Sequence, residues 1–92
     1  MTPPGRDPTV RRADVVWRRV ADGVMIRRRG DDETVVLTGS GVALWTALEA
    51  PIAVEELTRR LAATHGTTPE VVAADIGPVL DDLVDRGVVR RD

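Results

Sequence analysis

The sequence predicts an α+β domain of winged helix-turn-helix-like architecture: a three-stranded antiparallel sheet followed by three helices. Three observations carry that prediction. Short runs rich in β-branched and large apolar residues fill the chain from Asp14 to Leu37, each bounded by turn formers. Beyond Leu37 the apolar residues recur at helical spacing instead. Strands and helices are therefore segregated along the chain, which argues against a parallel sheet built from alternating strand-helix-strand units. A chain of 92 residues has room for one small core and no second.

The first eight residues, MTPPGRDP, include three prolines and a glycine, a composition that cannot bury a core. Residues 1–12 are expected to form a flexible leader, and residues 13–92 the folded domain. DVVWRRV, GVMIRR and TVVL then read as three strands. Asp22-Gly23 marks a tight hairpin between the first two, because glycine tolerates the positive φ of a two-residue turn. The second hairpin, around Gly30-Asp31-Asp32, is longer and charged and should be a solvated tip. In TGSGVALW, Thr38 to Trp45, the strand turns into a helix, with Ser40 expected as its cap. Val42, Leu44, Trp45 and Leu48 continue that helix for about ten residues, and it stops before Pro51.

A second helix starts at AVEEL. Val54, Leu57 and Leu61 share one face, and Glu55 and Glu56 sit near the positive end of the helix dipole. It ends near Gly66. Thr68 is placed to cap a third helix with Pro69 at its first position, where the missing N–H is harmless. Val72, Ile76, Val79, Leu80 and Leu83 form its apolar stripe. Gly77-Pro78 should kink or split it near Ala74 to Gly77. It closes before Gly87, and VVRRD can add a short extended segment.

Composition removes several classes of function. The absence of cysteine excludes disulfides, thiolate nucleophiles, zinc ribbons and iron-sulfur clusters. His65, the single histidine, makes a metal site improbable, and no cofactor is expected. No apolar run approaches the roughly 20 residues of a bilayer span, and the N-terminus lacks a signal-peptide core, so a cytoplasmic protein without a membrane partner is expected. The net charge of −2 disfavours a partner coated in phosphate.

The candidate sites are weighed on chemistry. Gly39-x-Gly41 lacks the lysine and hydroxyl residue of a phosphate loop and the third glycine of a dinucleotide fingerprint, so it reads as a corner. Ser40 has no surrounding pattern that would make it a nucleophile, and His65 reads as a favourable imidazole at a helix C-terminus. No catalytic residue is assigned, and the chain is expected not to be an enzyme. Asp75, Asp81, Asp82 and Asp85 read as a solvated face implying no pocket. Arg27-Arg28-Arg29 with Arg18-Arg19 could meet nucleic acid or an acidic peptide, but the neighbouring Asp31, Asp32 and Glu33 favour a solvated tip. A winged-helix DNA-binding regulator is the alternative reading. Its recognition helix would bring four aspartates against the single Arg86 toward phosphate, so nucleic acid is disfavoured. What remains is the backbone of TVVL, whose outer edge could accept a strand from another chain.

LTGSGVALWTALEAP, Leu37 to Pro51, followed by AVEEL, resembles the PqqD-like family, in which a strand ending in leucine leads through a short turn into a GxxxW helix and then a TVEEL-like helix. Trp17, Asp22-Gly23-Val24, His65-Gly66, Asp75-Ile76 and the spacing from Leu83 to Gly87 fall in the family's order, so the similarity spans about residues 14–89. The resemblance implies a RiPP recognition element, a chaperone-like domain that binds the leader of a ribosomally made precursor peptide. It would deliver that peptide to modifying enzymes such as a radical SAM enzyme, a protease or a cyclase. It further implies that the leader adds antiparallel to the third strand, here Thr34, Val35, Val36 and Leu37. The cleft wall would come from an exposed shoulder of the third helix, with Val72, Ile76, Val79 and Leu80 as candidates.

Overall fold

A computed structural model describes residues 8–92 of the chain. Its strands are β1 (Thr9–Arg12), β2 (Val15–Val20), β3 (Gly23–Arg28), β4 (Thr34–Thr38), β5 (Ile52–Ala53) and β6 (Val89–Arg91). Its helices are α1 (Ser40–Ala47), α2 (Val54–His65) and α3 (Pro69–Asp85). The α+β class holds, but the strands divide into two antiparallel sheets, ordered β2-β3-β4 and β5-β1-β6.

The second sheet corrects the expected leader. Residues 1–7 lie outside the described residues, but Thr9–Arg12 form the central strand between β5 and β6. The physical reason is Val10: the proline-rich composition ends at Pro8, and the next residue but one is completely buried. The extended segment expected at the C-terminus is present as β6, which pairs Val89 with Arg12.

In the first sheet, β3 lies between β2 and β4, with Met25 opposite both Arg18 and Val36, and Ile26 opposite both Trp17 and Val35. The tight turn occupies Ala21 and Asp22, and Gly23 already pairs with Val20 and Thr38. Gly23 does not have a positive φ. It is needed for space, because a Cβ there would stand 2.0 Å from the Leu37 carbonyl oxygen. The longer tip is held by the Asp31 N–H donating to the Arg28 carbonyl at 3.1 Å and the Glu33 N–H donating to Asp31 Oδ1 at 3.0 Å.

At the corner after β4, the cap is Gly39 rather than Ser40, which is the first helical residue and makes no side-chain cap bond. Gly39 has φ 57° and ψ −127°, a conformation open essentially to glycine alone. Gly41 stands against Leu37, where a Cβ would come within 3.2 Å of the leucine Cβ. Thr68 caps α3 as expected, its Oγ1 accepting from the Val71 N–H at 3.3 Å with Pro69 next in line.

Of the kink or split expected near Ala74 to Gly77, the split does not occur: α3 continues through Pro78 to Asp85. Two local features accommodate the proline. Gly77 presents no Cβ to the proline ring, which relieves the usual restriction on the preceding residue. Ala74, whose carbonyl loses its helical partner, is exposed to solvent. The helix ends with the Gly87 N–H on the Val84 carbonyl and the Val88 N–H on the Leu83 carbonyl, a paired closing motif.

One core serves both sheets and all three helices. Val10, Val24, Ile26, Leu44, Trp45, Leu57, Leu80, Leu83, Val88 and Val89 are almost wholly buried in it. The sheets and α1 also meet around Arg12. Its guanidinium lies 4.7 Å from the ring centres of both Trp17 and Trp45. The two indoles stand edge to face at 6.0 Å. Arg12 also donates to the Trp45 carbonyl, at 2.7 Å from Nη2 and 3.2 Å from Nε. Burial lowers the Arg12 pKa, partly opposed by the field of Glu49.

Candidate functional site

β4 is an edge strand: one side pairs with β3 from Gly23–Thr38 to Arg27–Thr34, and among the described strands none pairs with the other. Its side chains alternate. Leu37 is 8% exposed and joins the core, Val35 is half-buried, and Val36, at 53% exposure, points outward with Thr34. The strand's residues cannot slip without driving Leu37 into solvent, so the register of its free backbone groups is fixed.

Two cavities show how α3 lies beside this edge. One, of about 300 Å³, joins Glu33 and Val35 to Asp85, Arg86 and Val88. The other, of about 110 Å³, joins Ser40, just beyond the C-terminal end of β4, to Leu61, Val72, Asp75 and Ile76. The first end of β4 is thus level with the last turn of α3, and its far end with the first turns of the helix. The helix thus runs opposite in direction to the strand, with a polar cavity near one end of β4 and a separate, more apolar cavity beyond the other.

The helix residues expected to form an exposed shoulder are placed differently. Val72, Ile76 and Leu80 are buried at 5%, 6% and 2% exposure, and only Val79 is half-buried. The stripe that reads as a binding wall is the one that anchors α3 to the core, because a helix this size has one apolar face and the core takes it. Val72 and Ile76 still contribute their edges to the smaller cavity. The aspartates of α3 are exposed as expected, yet two of them line cavities: Asp75 the apolar one and Asp85 the polar one. Their placement beside β4 has no signal in helical spacing, which shows only that they avoid the core.

Ion pairs close the polar end. Arg86 Nη1 reaches Glu33 Oε1 at 2.6 Å, and Arg86 Nε reaches Asp82 Oδ2 at 2.9 Å, so the last turn of α3 is tied to the approach to β4. These contacts raise the Arg86 pKa, first through the Asp82 hydrogen bond. The arginine run at the end of β3 has separate roles. Arg28 turns toward Asp31 at 3.9 Å and lines the polar cavity, Arg29 pairs with Asp14 at 2.8 Å, and Arg27 faces outward beside Val16 and Thr34. His65 ends α2, is exposed, and borders the apolar cavity.

No helix among the described residues is long and apolar enough to cross a membrane, and no three of their metal-binding side chains are grouped. The fold is that of a small α+β domain of winged-helix type with an open sheet edge. Residues 23–89 match the family described as coenzyme PQQ synthesis protein D (PqqD), and the chain belongs to that family. Its members are non-catalytic accessory proteins associated with a precursor peptide and its modifying enzymes. No curated protein and no solved structure matches the chain.

Proposed function

We propose that this protein recognises the leader segment of a ribosomally synthesised precursor peptide and delivers it to modifying enzymes, without itself catalysing a reaction. The leader adds antiparallel to β4 in the groove beside α3. The observation that carries this reading is the open edge of β4, with cavities reaching α3 near each of its ends, in a chain of the PqqD family. Within the Thr34, Val35, Val36, Leu37 edge, the backbone N–H and C=O groups of Thr34 and Val36, which face away from β3, supply hydrogen bonds that are indifferent to sequence. Side-chain contacts with Val79 and the cavity edges of Val72 and Ile76 supply selectivity. Leu80 lies beneath them in the core and acts by holding the helix in place. A modifying enzyme, whether a radical SAM enzyme, a protease or a cyclase, then meets a peptide already held in extended form in the cytoplasm.

The ordering of a short peptide offsets much of its contact energy, so dissociation constants of about 0.1–10 μM are expected. Titrating the protein with synthetic leader peptides and following backbone amide resonances tests the reading. Shifts should concentrate on Thr34 to Leu37 and on the helix around Val79. Unmoved resonances there, with a leader encoded beside this gene, would overturn it. Val36→Pro, which removes one backbone donor from the edge strand, should weaken binding at least tenfold while Trp45 fluorescence shows an intact fold.

A further inference from the structure

The β2-β3-β4 sheet has a second face, turned away from the core. The pairing puts Val16, Arg27 and Thr34 in one row across the three strands and Arg18, Met25 and Val36 in the next. Side chains alternate along each strand, so both rows stand on one face, opposite the face through which Val24, Ile26 and Leu37 enter the core. That outer face is open to solvent: Val16 is 44% exposed and Val36 53%, and Arg18 and Arg27 are exposed with them. A depression of about 280 Å³ lies among Val16, Arg18, Met25, Arg27 and Thr34.

Charge on this face has one sign. Neither Arg18 nor Arg27 has an ion pair among the described residues, whereas Arg28, Arg29 and Arg86 each face a carboxylate. Met25 lies opposite Arg18 and Val16 opposite Arg27, so each cation has an apolar neighbour across the strand pair. The two arginines are diagonal neighbours whose stems start roughly 7 Å apart, close enough for one partner surface to meet both. A partner that sets an apolar side chain into the depression and a carboxylate beside each arginine removes apolar surface from water and gains two charge-assisted contacts together. A phosphate polymer fits less well, because carboxylates stand at both ends of the face, Asp22 at the tight turn and Asp32 at the tip, and the chain carries a net charge of −2. A second copy docked face to face would gather four arginines with no carboxylate among them.

We propose that this face docks a modifying enzyme through a surface patch in which carboxylates flank an apolar side chain. The identity of the partner rests on the delivery reading above, and the surface and its chemistry are added to it. The arginines lie on β2 and β3, and the free backbone edge lies on the side of β4 away from β3, so leader and enzyme are held at once.

Titrating the full chain with the modifying enzyme encoded beside this gene, by isothermal calorimetry, tests the proposal. Arg18→Glu and Arg27→Glu should each weaken enzyme binding about tenfold at 50 mM salt, with the loss shrinking at 500 mM. Val16→Ser should weaken it about threefold at both salt concentrations. Arg90→Glu, the same change of charge on β6 in the other sheet, should leave it within about twofold. Leader-induced shifts on Thr34 to Leu37 should survive in every variant, which also shows an intact fold. Enzyme binding indifferent to Arg18 and Arg27, with those shifts retained, would overturn the docking face and leave leader recognition standing. Absence of enzyme binding by the unaltered chain would overturn the docking face together with delivery. Tighter Arg27-dependent binding to a short DNA duplex or to phosphatidylserine vesicles, or self-association abolished by Val16→Ser, would also overturn it by giving the face another occupant.

Discussion

Gly23 has neighbours so close that even a methyl group cannot be accommodated, since a Cβ would stand 2.0 Å from the Leu37 carbonyl oxygen. Gly23→Ala must therefore push β4 away from β3 at the pair nearest the α1 corner. We expect about 2–4 kcal/mol of lost stability in urea unfolding, larger than an ordinary overpacking substitution because the obstructing atom is backbone. Amide shifts should spread along Thr34 to Thr38. Arg12 is a second residue with effects beyond its own strand. It joins β1 to Trp17 of β2 and to both the ring and carbonyl of Trp45 in α1. Arg12→Ala removes these contacts together, and a loss of about 1–3 kcal/mol is expected, accompanied by a change in tryptophan fluorescence. Lysine at this position should restore only part of it, because an ammonium group cannot match the flat guanidinium between two indoles.

Among the elements, α3 lines both cavities, and its two unusual positions should respond in opposite directions. Thr68→Ala removes the cap bond to Val71 and should cost about 1 kcal/mol in chemical unfolding. Pro78→Ala restores an interior hydrogen bond at some cost in a freer unfolded chain, and should raise stability by about 1–2 kcal/mol. The same helix shows where sequence reasoning holds and where it stops. Its start, apolar stripe and end were legible, because capping chemistry and 3.6-residue periodicity are local. Whether Pro78 would kink or split it was not, since that depends on Gly77 and on the exposure of Ala74. β4 was legible as a strand, and the reason for Gly23 beside it was not, because close approach between two strands leaves no mark in either one alone. The same limit applies to the candidate site. TVVL announces a strand edge, whereas burial of Val72, Ile76 and Leu80 follows from which face of α3 the rest of the chain covers.

For the molecule as a whole, the decisive feature is a second sheet assembled from three distant parts of the chain. β1 pairs with β5 at Thr9–Ala53 and Val10–Ile52, and with β6 at Val10–Arg91 through Arg12–Val89. It also lies outside residues 23–89, the part that matches the family. β5 and β6 have no pairing with each other, so β1 is the element that joins the chain end after α3 to the segment before α2. Two substitutions of different size separate its packing from its pairing. Val10→Ala keeps the backbone ladder and should cost about 2 kcal/mol from the lost burial and residual cavity. Removal of residues 1–12 also takes away both ladders and the cation between the tryptophans, so the midpoint of thermal unfolding should fall by well over twice as much as with Val10→Ala. If β1 were only a surface strap, the two changes would give equal midpoints and Trp45 emission would stay the same in both. The expected red shift of Trp45 in the truncated chain alone would show that the N-terminal strand helps close the core against which α1, and through it the β4 edge, is held.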